Sequence, residues 1–214
     1  MHIPDGILPT QVCIAGYGIA GGLTWGTLRQ IRKAPDPQAQ VPKASLLAAA
    51  FFVGSSISIP IPPASVHLVL NGLLGTLLGW YAWPAVLIGL LLQAILLGHG
   101  GLTTLGVNAV MMGGSALIAA QIFQLRYRFP ALLHRKWFLG TLGFLAGAIG
   151  FGLAALIFFG LIIFTLPATL DRVTEQGTLA ALMIAHIPLL FLEGGFTALV
   201  VLFLYRIKPE LLES

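Results

Sequence analysis

The chain has 214 residues, of which 57% are hydrophobic and only 8% charged, and its mean hydropathy is +0.95. Soluble domains carry about 25% charged residues, so a water-soluble globular domain is excluded. The formal charge of +4 comes from 11 Lys and Arg against 7 Asp and Glu, an excess that in a membrane protein reports orientation rather than a nucleic-acid partner.

The chain opens Met1-His2-Ile3-Pro4-Asp5-Gly6 without the positive n-region and small-residue cleavage site of a secretory signal. A bulky second residue discourages removal of the initiator Met, so a free Met1 amine is expected to remain. Seven apolar stretches follow, at about 7–28, 44–61, 64–81, 84–98, 102–125, 137–166 and 178–205. Their apolar character is continuous, without the alternation of a membrane strand, and a helix satisfies its own backbone in lipid. The run from 44 to 125 holds 82 residues without Asp, Glu, Lys or Arg, room for about four crossings at about 20 residues each. Breaks fall at Pro60, Pro62 and Pro63, at Pro84, at Gly98, Gly100 and Gly101, and at Pro167. The fold class is therefore all-α: one integral membrane domain over 1–214, a polytopic bundle of seven transmembrane helices.

Several features within the spans carry their own expectations. Gly16-Tyr17-Gly18-Ile19-Ala20-Gly21 matches a dinucleotide-binding pattern, but an apolar span offers no strand-to-helix turn for it. Gly18, Gly22 and Gly26, like Gly143 and Gly147, recur every four residues, and close packing inside the bundle is the expectation. Trp80, Tyr81 and Trp83 read as an interfacial aromatic belt. His186 and Glu193 share one face of the last span, and a mid-membrane carboxyl group needs a partner. It serves either as a protonated Glu bonded within the bundle or as part of a polar relay. A single cysteine, Cys13, rules out an intrachain disulfide.

Cytoplasmic loops collect Lys and Arg. Arg29, Arg32, Lys33 and Lys43 follow the first span, Arg126, Arg128, Arg135 and Lys136 the fifth, and Arg206 and Lys208 the seventh. With alternating crossings these ten fall on one side and only Arg172 on the other. The N-terminus is then outside and the C-terminus cytoplasmic, and residues 1–6, 60–66, 98–102 and 167–177 face outward. His2, His67 and His99 thus end elements that reach one membrane face, whereas His134 lies in the basic loop.

Histidine at position two has a particular chemistry. The Met1 amine, the amide nitrogen between residues 1 and 2 and the His2 imidazole can close adjacent chelate rings around one divalent ion. Amide and imidazole nitrogen favour Ni²⁺ and Cu²⁺, with Co²⁺ admitted and Mg²⁺ or Ca²⁺ disfavoured. His67, after the Pro-rich turn, is the choice for a fourth nitrogen. A ligating imidazole needs a partner on its other nitrogen, for which Asn71, His99 and Asn108 are the candidates.

Met1-His2-Ile3-Pro4-Asp5-Gly6, together with Gly98-His99-Gly100-Gly101-Leu102-Thr103-Thr104-Leu105-Gly106-Val107-Asn108 and His67, resembles the CbiM/NikM family, the substrate-binding membrane components of energy-coupling factor (ECF) transporters for cobalt and nickel. The likeness covers essentially the whole chain. It implies a seven-helix protein of a bacterial or archaeal cell membrane whose N-terminal segment tucks into the bundle. The transported Ni²⁺ or Co²⁺ would be held by the Met1 amine, the His2 amide and ring, and His67. It also implies a scaffold membrane subunit and a cytoplasmic ATPase pair as partners, with or without a small accessory membrane subunit. This chain has no Gly-x-x-x-x-Gly-Lys-Ser/Thr of its own. Ala44 and Ala48, with Gly54 beyond, make the second span the candidate face for docking on the scaffold. The alternative is a membrane-embedded metalloenzyme using His67, His99, His186 and Glu193, although no His-Glu-x-x-His pattern is present.

Overall fold

A computed structural model describes residues 2–56, 59–61, 64–66, 68–165, 177 and 181–212. In order these are α1 (Thr10–Ile31), α2 (Val41–Gly54), a hairpin of three-residue strands β1 (Ile59–Ile61) and β2 (Ala64–Val66), α3 (Asn71–Leu78), α4 (Ala82–Leu97), α5 (Leu105–Gln124), α6 (Lys136–Thr165) and α7 (Ile187–Ile207). Among the described residues all regular structure apart from this hairpin is helical. Among the described residues four helical segments are long and apolar enough to cross a membrane, at Asn71–Leu97, Leu105–Arg128, Lys136–Thr165 and Ala181–Ile207. The last runs through a turn at His186 into α7. The Leu105–Arg128 segment is 67% buried against 28% for Ala181–Ile207, so α5 forms the centre, packed against α1, α3, α4 and α6.

The third expected span, 64–81, is not a continuous helix. Its start is β2, its helical part begins only at Asn71, and residues 68–70 before it are not helical. Nor does Asn71–Leu97 run straight. The Asn71 amide reaches the carbonyl of Met112 (3.5 Å), while the Trp83 ring lies where a Cβ on Gly113 would be (2.8 Å). Twelve residues of straight helix would separate those levels by about 18 Å. The chain instead reverses at the 3₁₀ turn Gly79–Tyr81, where Gly79 has φ +55°, a conformation that only glycine adopts freely. α3 is therefore a half-depth helix, and α4 returns beside it. The second expected span, 44–61, is also shorter than drawn, since α2 stops at Gly54 and β1 follows.

One end of the bundle collects the polar loops. Tyr81 donates its hydroxyl to the Pro37 carbonyl (2.6 Å), Lys43 Nζ donates to the Leu211 carbonyl (3.0 Å) and Tyr205 to that of His134 (3.1 Å). Arg126 is buried, with its guanidinium 4.0 Å from the Phe123 ring centroid and Nη2 donating to Leu212 O (2.6 Å). The loops after α1 and α5 and the segment after α7 thus meet, as the cation pattern requires. Arg126 is more than a surface charge: it ties the C-terminal turn Pro209–Leu212 to α5.

Two glycine patterns separate in the structure. Gly143 and Gly147 pack against α7, where a Cβ on Gly147 would lie 2.6 Å from Thr197 Oγ1. Gly18, Gly22 and Gly26 face open space, with no atom of the described residues within 4 Å of a Cβ, which corrects the expectation that this stripe packs inside the bundle. Gly16 packs on α5 instead, where a Cβ would lie 2.8 Å from the Val107 nitrogen. Trp83 likewise leaves the predicted aromatic belt: it is 1% exposed and donates its indole N–H to Thr24 Oγ1 (2.9 Å). Ala44 and Ala48 are half-buried against the core, and a Cβ on Gly54 would lie 3.0 Å from Leu70 Cδ1.

A Cβ on Gly72 would meet backbone, Gly147 Cα at 2.6 Å and Ala146 O at 2.8 Å, so α3 and α6 must separate to admit one. Gly72→Ala is expected to destabilise by about 1–3 kcal/mol, the usual cost of overpacking. Gly22→Ala, facing open space, should leave thermal unfolding in detergent micelles essentially unchanged.

Candidate metal site

At the end of the bundle opposite the basic loops, residues 2–8 fold back against the segment 98–108. The arm is anchored by Ile3, which is fully buried with Leu8, Cys13 and Val107. Burying Ile3 also buries its peptide groups, which must find partners away from water. Asn108, on the first turn of α5, supplies both: Oδ1 accepts from Ile3 N (3.0 Å) and Nδ2 donates to Ile3 O (3.0 Å). The Thr104 hydroxyl donates to the same carbonyl (2.6 Å). A side-chain amide here replaces the neighbouring strand that an extended peptide would otherwise pair with.

Asp5 makes the second clamp. Its carboxylate accepts from Leu102 N (3.2 Å) and Thr103 N (2.9 Å) and from the Thr103 hydroxyl. The Thr103 hydroxyl first, then the backbone N–H groups, hold this exposed carboxyl below its ordinary pKa. The glycines of the 98–101 turn make this docking sterically feasible. A Cβ on Gly101 would lie 2.7 Å from Asp5 N and closer still to its carboxylate. Gly100, at φ +79°, would place a Cβ 3.6 Å from that of His2. The two sequence motifs are thus the two halves of one contact.

This contact sets His2 beside His99, with ring centroids 6.4 Å apart and planes 20° from parallel. His99 is held by the end of α4, where its N–H donates to Gln93 O (3.1 Å). Met1 and His67 lie outside the described residues. β2 ends at Val66, one residue before His67, and the described chain resumes at Leu68. Among the described residues no three His, Cys, Asp or Glu side chains converge.

The remaining candidates have other partners. The Asn71 amide donates to Gly150 O (3.0 Å) and its oxygen accepts from Gly72 N (2.9 Å), so it joins α3 to α5 and α6. Asn108 spends its amide on the Ile3 peptide rather than on an imidazole. His186 bonds Leu182 O (2.8 Å) between the rings of Phe151 and Phe159. Glu193 is bonded to the backbone of Val69 and Leu70. His99, His186 and Glu193 therefore occupy three separate settings rather than one catalytic cluster. Asp5, Thr103 and Thr104 are the site residues that the sequence reading passed over; the signal was their presence inside the two motifs.

Fold and site together define a polytopic membrane protein with an inserted N-terminal arm that presents a histidine at the second position. Residues 2–211 match the CbiM family, described as the cobalt uptake substrate-specific transmembrane region, and the chain belongs to that family. A Haemophilus influenzae protein named for metal transport is 36% identical over 99% of this chain and 97% of its own length. A fused nickel transport protein NikMN of Rhodobacter capsulatus is 32% identical over 75% of this chain and 47% of its own. The crystal structure of a truncated transition metal transporter superposes with a TM-score of 0.78 at 27% identity, covering 96% of this chain and 99% of that one. The protein is a multi-pass transmembrane component of cobalt or nickel uptake, a transport protein rather than an enzyme.

Two changes probe the arm. Asn108→Leu strands the Ile3 N–H and leaves the Ile3 carbonyl with the Thr104 hydroxyl alone, and should cost about 2 kcal/mol and raise amide exchange at Ile3. The depressed Asp5 pKa means that its contribution is present above the ordinary carboxylate range and lost as pH falls through the folded-state value. Asp5→Asn should therefore lower the unfolding temperature at neutral pH, and the gap from wild type should close in acid.

Proposed function

We propose that this chain captures Ni²⁺ or Co²⁺ at the outer membrane face through a nitrogen chelate. The donors are the Met1 amine, the amide nitrogen between residues 1 and 2, the His2 ring and His67. The observation that carries this reading is the bidentate grip of Asn108 on the Ile3 peptide. It immobilises the residue next to the chelating pair, so little ordering cost is left for the metal to meet. His99, 6.4 Å from the His2 ring, flanks the site from the glycine turn, and the Asp5 clamp fixes the arm's exit.

The chain crosses the membrane seven times in this reading, with α3 and the extended residues before it sharing one crossing. The end bearing the arm faces outward, and the end bearing Lys43, Arg126 and the C-terminal turn faces the cytoplasm. Nitrogen donors select a late divalent ion over abundant Mg²⁺, which prefers oxygen. The loaded bundle passes its ion inward when partners of the ECF type, a scaffold membrane subunit and an ATPase pair, reorient it. The fused NikMN relative, of which this chain spans under half, supports assembly with further transport subunits.

Isothermal titration of the purified chain with Ni²⁺ and Co²⁺ tests the chelate. His2→Ala, and separately a one-residue extension ahead of Met1, should each weaken binding by about tenfold or more, the scale on which even outer partners of a metal ligand act. Unchanged affinity in both would defeat the reading. Binding should also weaken as pH falls from neutral towards about 5.5, because the imidazoles must lose protons to coordinate.

A further inference from the structure

We propose that Glu193 of α7 is a positioning residue for the metal site: its carboxylate grips the backbone of Val69 and Leu70 and so sets the segment that carries His67. The inference rests on the reading of His67 as a ligand.

Residues 68–70 enter the bundle without forming a helix, so their N–H groups have no intrahelical acceptor. Val69 is fully buried and Leu70 nearly so, and in an apolar interior an unpaired N–H is costly. Glu193, itself fully buried, answers both. Oε1 accepts from Val69 N, and from Leu70 N at 3.0 Å, while Oε2 lies 3.2 Å from Leu70 N. A carboxyl group is rare at this depth, and its use here is to accept several hydrogen bonds at one point.

Leu70 also has φ +57°, the left-handed conformation that a leucine avoids. Such a residue persists only where its surroundings over-determine it. Here Glu193 holds the N–H of that very residue, and the next residue, Asn71, is tied to Gly150 O on α6 and to Met112 O on α5. Three helices thus grip residues 69–71, and the turn they impose lies two residues after His67.

Thr197 provides the internal control. It lies one turn beyond Glu193 on α7, is fully buried, and its hydroxyl has no hydrogen-bond partner among the described residues, so it marks the same helix without a hydrogen bond to residues 69 and 70.

The test combines amide hydrogen exchange of the metal-free, full-length protein in micelles with Ni²⁺ titration. Glu193→Ala should raise exchange at residues 69–70 by about tenfold or more, the equivalent of one lost hydrogen bond, with residues 2–5 and 102–108 unaffected. It should weaken Ni²⁺ binding by about tenfold. Glu193→Gln keeps an accepting oxygen and should stay near wild type in both readouts, as should Thr197→Val; the Gln variant keeps the question open to measurement if the Ala variant fails to fold. Wild-type exchange at 69–70 in Glu193→Ala would overturn the proposal. So would raised exchange with undiminished Ni²⁺ affinity, or a Gln variant as impaired as the Ala variant. Failure of the wild-type chain to bind Ni²⁺ or Co²⁺ would instead overturn the chelate itself, and the exchange comparison would still decide whether Glu193 holds the segment.

Discussion

A backbone that leaves the helical conformation inside a bilayer must find hydrogen-bond partners from side chains, because neither water nor lipid will supply them. Among the described residues this protein departs from helix at two buried places, the arm around Ile3 and the non-helical chain at Val69 and Leu70. Each is met chiefly by one polar side chain from a neighbouring helix, with the Thr104 hydroxyl adding a second bond to the Ile3 carbonyl. Asn108 answers Ile3 with a donor and an acceptor, while Glu193 answers two adjacent N–H groups with acceptors. The chemistry of each side chain matches the groups presented: an amide for a whole peptide, a carboxylate for donors alone. The rest of the site follows, since these two clamps decide where the ends of the two non-helical segments can go.

The helices supply the rigid frame for those clamps. α5 runs through the centre, carrying Asn108 on its first turn and the Met112 carbonyl a turn later. Around it small residues let backbones approach: Gly72 against Gly147, Gly16 against Val107. Without a hydrophobic drive between helices in lipid, such close packing is what association depends on. The Gly18, Gly22 and Gly26 stripe shows the limit of that rule, because the same spacing on α1 faces open space.

Much of this was legible in the residues. Continuous apolar runs predict helices, the charge-free 44–125 run predicts repeated crossings, and the clustering of cations predicts which loops share an end, as the contacts of Lys43, Arg126 and Tyr205 bear out. The pairing of the N-terminal motif with the glycine turn was visible only as coincidence, and the roles assigned to Asn71 and Asn108 as imidazole partners differ from the bonds they make. An amide has several hydrogen bonds to give, and spacing along a helix says which face it occupies but not which backbone will be presented to it.

The sequence by itself determined the class of protein, the helical content and the chemistry available at residue 2, because composition, periodicity and donor type are local properties of the chain. Only the tertiary structure decided that the span drawn at 64–81 holds a strand, a non-helical entry and a half-depth helix, that Trp83 is core, and that Glu193 serves residues 69 and 70. Those outcomes depend on which peptide groups are left unsatisfied once the helices have packed, and that is settled by the packing of the whole bundle rather than by any one segment.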